Sequence, residues 1–308
     1  MHKTLFVTVA LALMLSAASA SAQFNASRGA NAPAPVAKDV EFADEDGKVH
    51  RKRVYVAPKE DRYGNAAGTQ YDLAVDGAFE GQTIAVLQFY TLENFDFSLP
   101  KAALKEKGFS VYRWSGTAPP VAELKAGLGK SCQLWIISGS ERHLTDAHLD
   151  VIKEYFEAGH GVYVWGDNDP YYTDANAVAR KLFGGGMTGN LPGGETVPVR
   201  KGKKKVGIAP NHDLTTGLVH LFEGITIATL EPNDALEPLV YGSKGNLVTA
   251  YYDHKGRRAI FDGGFTRLYC NWDTAGTARY VKNSAAWLVN YERFGDDVVA
   301  TKFRKDSK

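Results

Sequence analysis

The sequence predicts an α/β fold: a doubly wound, mostly parallel sheet with an antiparallel C-terminal extension. Three observations predict it. Four short, nearly unbroken apolar runs, "TIAVLQFY", "FSVYRW", "QLWIIS" and "GVYVWG", lie between residues 83 and 166. Amphipathic helical stretches separate them. After Gly184 the rhythm changes to Gly-rich loops and alternating strands. Apolar strands alternating with helices imply a parallel sheet covered on both faces. Right-handed crossovers then wind the helices onto both sides.

The elements follow in chain order. Lys3, the apolar run Leu5 to Leu15 and the small residues Ala20-Ser21-Ala22 form a secretory signal peptide over residues 1–22, with cleavage expected after Ala22. The apolar run is too short to span a bilayer, which needs about 20 residues. The expected location is therefore periplasmic or extracellular. Residues 23–38 are rich in Ala, Pro, Asn and Gly and read as a flexible leader. Residues 39–80 form an N-terminal hairpin extension, with Asp46-Gly47 as a two-residue turn. The basic run His50-Arg51-Lys52-Arg53 is assigned to an exposed face of that hairpin.

The α/β domain spans residues 81–294. Pro100 to Lys107 and Val121 to Leu128 read as helices between the first three strands. In "LTDAHLDVIKEYFEAG", Thr145 caps a helix, Leu144 staples onto Leu149, and Gly159 ends it. After the fourth strand, Thr173 caps a helix with an apolar stripe of Ala175, Val178, Ala179, Leu182 and Phe183. "LEPLVYGS" and "NLVTAYYD" read as an antiparallel pair, and "RRAIFDGG" as a further strand. Ala278, Val281, Ala285 and Leu288 face inward from a last helix, and a charged tail occupies residues 295–308. The Lys201 to Lys205 run reads as a solvated loop tip.

The formal net charge is +1, so the balance gives no reason to expect nucleic acid as a partner. No later apolar run is long enough to span a membrane. There are two cysteines. Cys132 precedes a strand and Cys270 follows one, at opposite ends of the sheet, too far apart for a disulfide.

In open α/β sheets ligands bind beyond the carboxyl ends of the strands. The topology sends several polar groups there. Glu93 and Asn94 follow the first strand; Ser140, Glu141 and Arg142 follow the third; Asp167, Asn168 and Asp169 follow the fourth; Asp262, Arg267, Trp272 and Asp273 follow the last. Asp and Asn oxygens suit a divalent cation such as calcium or magnesium. Paired carboxylates can serve as acid and base. Tyr171, Tyr172 and Trp272 can stack on sugars, whereas Trp165 lies within its strand and reads as core. The same Asp and Asn side chains can instead cap helices and brace turns. Asp167-Asn168-Asp169 alone lacks the further spaced ligands of a calcium loop, so no cofactor is assigned beyond a cation as an option.

"LWIISGSERHLTDAHLDVIKEYFEAGHGVYVWGD", "NHDLTTGL" and "GRRAIFDGG…NSAAWLVN" resemble the class I glutamine amidotransferase-like superfamily, in its non-amidase, ThuA-like branch. "GVYVWGDNDPYYTDAN" and "GGFTRLYCNWDTAGTARYVKNSAAWLVN" also resemble an uncharacterised domain found beside von Willebrand A domains. The resemblance covers Thr83 to Tyr291 and implies a flavodoxin-like, glutamine amidotransferase-like fold. It implies a nucleophilic Cys at the elbow after the fourth strand. Asp167 or Asn168 stands there, and His212 is a poor substitute for the missing catalytic His, so amide transfer is not expected. Three functions stay open: an exported non-amidase domain that binds a small molecule, carbohydrate or protein in the top cleft; a carboxylate-dependent hydrolase of carbohydrates; and a structural module of a surface assembly.

Overall fold

The computed structural model describes residues 36–56, 59–60, 71–202, 205–269, 272 and 275–294, without the side chains of Val36 and Glu93. The signal segment, most of the leader, Lys203, Lys204, Cys270, Asp273 and the charged tail lie outside the described residues.

An N-terminal hairpin joins β1 (Val36–Ala43) to β2 (Val49–Val56). The connection spans five residues, because the pairing stops at Ala43 opposite Val49. Asp44 closes it instead of Asp46-Gly47 alone, accepting the Asp46 and Lys48 amides on Oδ1. Such an Asx-type closure competes with a two-residue turn. Arg51 and Arg53 pair across the strands with Glu41 and Asp39. The basic run is thus exposed, but these two charges are neutralised locally.

The main sheet is built by β3 (Thr83–Gln88), β4 (Ser110–Ser115), β5 (Gln133–Ile137) and β6 (Gly161–Trp165), all parallel. The helices α1 (Ser98–Glu106), α2 (Val121–Leu128), α3 (Asp146–Glu157) and α4 (Thr173–Phe183) connect or follow them. Two small antiparallel pairs come next. They join β7 (Met187–Pro192) to β11 (Thr226–Leu230), and β8 (Thr196–Pro198) to β10 (His220–Phe222). The sheet is then extended by β9 (Gly207–Ile208), β12 (Glu237–Tyr241), β13 (Leu247–His254) and β14 (Arg257–Asp262). Its order is β4-β3-β5-β6-β14-β13-β12-β9. β14 runs parallel to β6, whereas the β14–β13–β12–β9 neighbours are antiparallel. The five parallel strands β4-β3-β5-β6-β14, numbered among themselves in chain order, therefore lie 2-1-3-4-5, the flavodoxin-like order. The chain closes with α5 (Thr266–Tyr269), α6 (Thr277–Leu288) and α7 (Tyr291–Phe294).

Strand alternation sends side chains to two cores. Ile84, Val86, Trp135, Ile137, Tyr163 and Trp165 face α1 and α6 in one cluster; Leu87, Leu134, Ile136, Val162 and Val164 face α3 and α4 in the other. Gly161 allows α6 to close on β6: a Cβ there would stand 2.3 Å from the Leu288 carbonyl. Leu144 and Leu149 share the second core, and Thr145 Oγ1 lies 2.7 Å from His148 Nδ1 in a capping box. Thr173 departs from its expected capping role. It is the first helical residue, and its hydroxyl donates to the Ser140 carbonyl at 2.8 Å, tying α4 to the loop after β5.

Ahead of β3, Asp72 is almost fully buried against Lys107, Arg279 and Lys282. Burial pushes its carboxyl up, but hydrogen bonds from Lys107 and Arg279 hold it below the usual range. Leu73 and Phe79, within the stretch that the sequence assigns to the hairpin extension, also pack against the first core. Among the described residues, no helix is long and apolar enough to cross a membrane.

Candidate functional site

Above the carboxyl ends of the parallel strands, four loops meet. The loop after β6 is drawn to the loop after β14, because the Gly166 amide donates to the Asp262 carbonyl at 2.8 Å and the Phe265 amide donates to Gly166 at 3.2 Å. Asp167 therefore stands where the resemblance implies a Cys. Its side chain is 1 % exposed. One carboxylate oxygen accepts the Asn168 amide at 3.0 Å. No Lys, Arg or His among the described residues forms an ion pair with it. Burial, reinforced by the charge of Asp262, pushes its pKa up to about 7 against the partial relief of the Asn168 amide.

Over this carboxyl, Tyr90 from the β3 loop stacks on Tyr171 from the β6 loop at 4.3 Å between centroids. Burial first, then the negative charge of Asp167 and the neighbouring Tyr171, raises the Tyr90 phenol well above its ordinary value. Phe265 and Phe95 continue the aromatic cover.

Asn168 and Asp169 brace the turn. Asn168 Oδ1 accepts the Thr226 hydroxyl at 2.7 Å, the Asp169 amide donates to the Gly189 carbonyl, and Asp169 Oδ1 accepts the Tyr172 hydroxyl at 2.7 Å. Asp169 itself is exposed, and Tyr171 and Tyr172 are half-buried.

Asp262 and Arg267 lie beneath this surface and do not open onto it. Both are fully buried. Asp262 Oδ2 accepts from Arg267 Nη1 at 2.7 Å and from the Tyr163 and Tyr280 hydroxyls at 3.2 Å; its Oδ1 takes the Gly264 amide at 2.9 Å. The second guanidinium nitrogen of Arg267 donates to the Glu223 carbonyl at 3.0 Å. Trp272, expected as a stacking surface, is 4 % exposed and belongs to the core. Glu93 lies in the turn after β3, and its side chain falls outside the described residues, as does all of Asp273.

Ser140, Glu141 and Arg142 are exposed on the loop after β5. Arg142 donates to the Leu144 carbonyl and, at 3.3 Å, to Asp146. The organiser of this loop is Asp174, which sequence reasoning misses. Fully buried on α4, it accepts the backbone amides of His143 and Leu144 and lies 3.0 Å from His143 Nδ1. His143 in turn stacks on Phe89 with ring centroids 4.5 Å apart. His212 accepts the Leu214 amide in its own loop, far in sequence from the elbow. Among the described residues, no three His, Cys, Asp or Glu side chains converge as metal ligands would.

The strand order defines the class: a doubly wound, flavodoxin-like α/β protein with an antiparallel extension. No family model matches the chain, and no curated protein does. Solved structures do. The chain is similar to a ThuA-like protein from Parabacteroides merdae, at 11% identity, covering 68% of this chain and 90% of that chain with a TM-score of 0.47. It is similar to a GMP synthase component from Thermoplasma acidophilum, at 10% identity, covering 73% of this chain and 96% of that chain with a TM-score of 0.43. It is also similar to an exo-β-1,4-mannosidase from Opitutaceae bacterium strain TAV5, at 9% identity, covering 73% of this chain and 35% of that chain with a TM-score of 0.36.

Proposed function

We propose that this chain is an exported, non-amidase domain that binds a ligand in the crevice over Asp167. The single observation behind this reading is a buried carboxyl at the ligand-binding end of the sheet, raised to about 7 and without a cationic partner among the described residues. Such a group is costly to keep unless it meets something. Below pH 7 it is a neutral acid able to donate a hydrogen bond to a carbonyl or hydroxyl. Toward a cationic ligand it ionises and supplies the missing counter-charge. A thermal-shift screen at pH 6 and pH 8, with small organic cations, neutral sugars and short peptides, tests this. A hit should stabilise the wild type and lose its effect in Asp167→Asn. Hits that stabilise both proteins equally would remove the crevice from the function.

Hydrolysis by a carboxylate pair has less support. The charged neighbour of Asp167 is Asp262, whose oxygens are taken up by Arg267, two tyrosines and a backbone amide. A structural module is the second reading, favoured by the Tyr90–Tyr171 stack with which the protein covers its own crevice. Under that reading no probe in the screen shifts the melting temperature. Export rests on the N-terminal 22 residues; the secreted protein should begin at Gln23 by mass spectrometry.

A further inference from the structure

A concave site lies away from Asp167. A hollow of about 370 Å3 opens between β4 and α2, lined by Thr83, Tyr112, Trp114, Glu123, Gly127 and Lys130 among others. That volume falls in the range of small-molecule sites, roughly 300–1,000 Å3. Thr83 opens β3, and Ser131, also in the lining, precedes β5, so the hollow reaches toward the amino ends of the strands.

Its aromatic walls are held in place. Tyr112 and Trp114 alternate onto one face of β4. Their rings meet edge to face, 4.8 Å between centroids with planes at 88°. Trp114 Nε1 donates to Glu123 Oε1 at 2.8 Å, which fixes the indole against α2. Gly127 makes that approach possible: a Cβ there would stand 2.5 Å from the Trp114 ring. Tyr112 nevertheless keeps 50 % of its surface exposed, on the strand that ends the sheet.

The chemistry of the lining narrows the ligand. The rings offer an apolar, electron-rich face. Glu123 offers acceptors, and Lys130, which forms no ion pair among the described residues, offers donors. An anionic ligand meets Glu123 and a cationic one meets Lys130. A neutral polyol satisfies both, because each hydroxyl donates and accepts. A pyranose adds a C–H face that lies flat on a ring and a rim of hydroxyls that reaches the two charges. A peptide adding to the sheet would occupy the hydrogen-bonding edge of β4, whereas this hollow sits on its α2 face. We propose that the β4–α2 hollow binds a saccharide, with Tyr112 as the stacking platform and Glu123 and Lys130 as hydroxyl partners.

The experiment is calorimetric titration of the whole protein with linear hexasaccharides of glucose, mannose, xylose and N-acetylglucosamine. It is repeated with Tyr112→Ala and, as a variant that spares the aromatic packing, Lys130→Gln. Hydrogen exchange is measured with the best binder. At least one hexasaccharide should bind saturably, and Tyr112→Ala should weaken it by about tenfold, or about 1.4 kcal/mol. Lys130→Gln should also weaken it, and protection should rise across residues 112–115 and 123–130. No binding at millimolar concentration, unchanged affinity in both variants, or protection confined to the loop around Asp167 would each overturn the proposal. The last outcome would instead support the crevice, so the two sites are told apart.

Discussion

Arg267 donates to Asp262 across 2.7 Å with both side chains shut off from water. The Arg267 guanidinium is thus committed to Asp262 and the Glu223 carbonyl. Breaking this pair leaves one charge buried alone. Asp262→Asn should destabilise the protein by about 3–5 kcal/mol. The double variant Asp262→Asn/Arg267→Met should be less destabilised than the two single variants added together. Urea unfolding of all four proteins gives the coupling; strictly additive losses would show that the two side chains do not act as a unit.

Asp167 makes stability depend on pH in an unusual direction. Its folded pKa of about 7 lies above the unstructured value of 3.8. Between these values the folded state holds more protons than the unfolded one, so stability falls as pH rises. The penalty is absent below the lower value and complete above the upper one. Asp167→Asn should therefore gain stability over the wild type at pH 8, on the order of a few kcal/mol at about 1.36 kcal/mol per pKa unit. The gain should vanish near pH 4. A difference that stays constant across melting curves from pH 4 to 8 would contradict a buried carboxyl whose pKa is raised.

Asp174 holds the loop after β5 through two backbone amides and the His143 ring. Asp174→Ala should cost about 1–3 kcal/mol for each donor left unsatisfied. Amide exchange at His143 and Leu144 should accelerate more than exchange in the strands of the main sheet. Uniform acceleration would mean that Asp174 supports the whole domain and not this loop in particular.

Cys132 is buried at the amino end of β5, and burial pushes its thiol up to about 12. In the folded protein at pH 8 it should resist a thiol reagent, then react on unfolding. The Cys270→Ala variant isolates this measurement. Fast labelling of that variant in its native state would place the thiol in a more open setting.

The parallel half of the fold is legible because it is written in local patterns. "QLWIIS" and "GVYVWG" are apolar throughout, the helices between strands keep one apolar face, and Gly184 adopts the left-handed φ of 76° that ends α4. The β7–β11 and β8–β10 pairs are not, since "MTGNLP" and "TVP" are short and hardly alternate. At the site, position along the sheet is readable and depth is not. Asp167 follows β6 and Asp262 ends β14, yet one remains unpaired by any cation among the described residues and the other meets Arg267 through a contact set by the fold. Asp174 reads as an ordinary first-turn acid; its role depends on a loop about 30 residues earlier. Arg267 does leave a trace, as one charge within the otherwise uncharged "GGFTRLY".

The three cations gathered on Asp72 set where this protein can be cut. Lys107 is 1 % exposed, and Arg279 and Lys282 share the same carboxylate from the last long helix. Trimming the chain to the start of β3 would delete both acids that Lys107 meets, Asp72 and Asp76, and leave Lys107 beside Arg279 and Lys282, of which Lys282 keeps Glu106. An expression boundary placed at the start of β3 is therefore an electrostatic lesion, while one placed just before residue 71 retains the anion that lets α1 and α6 lie side by side.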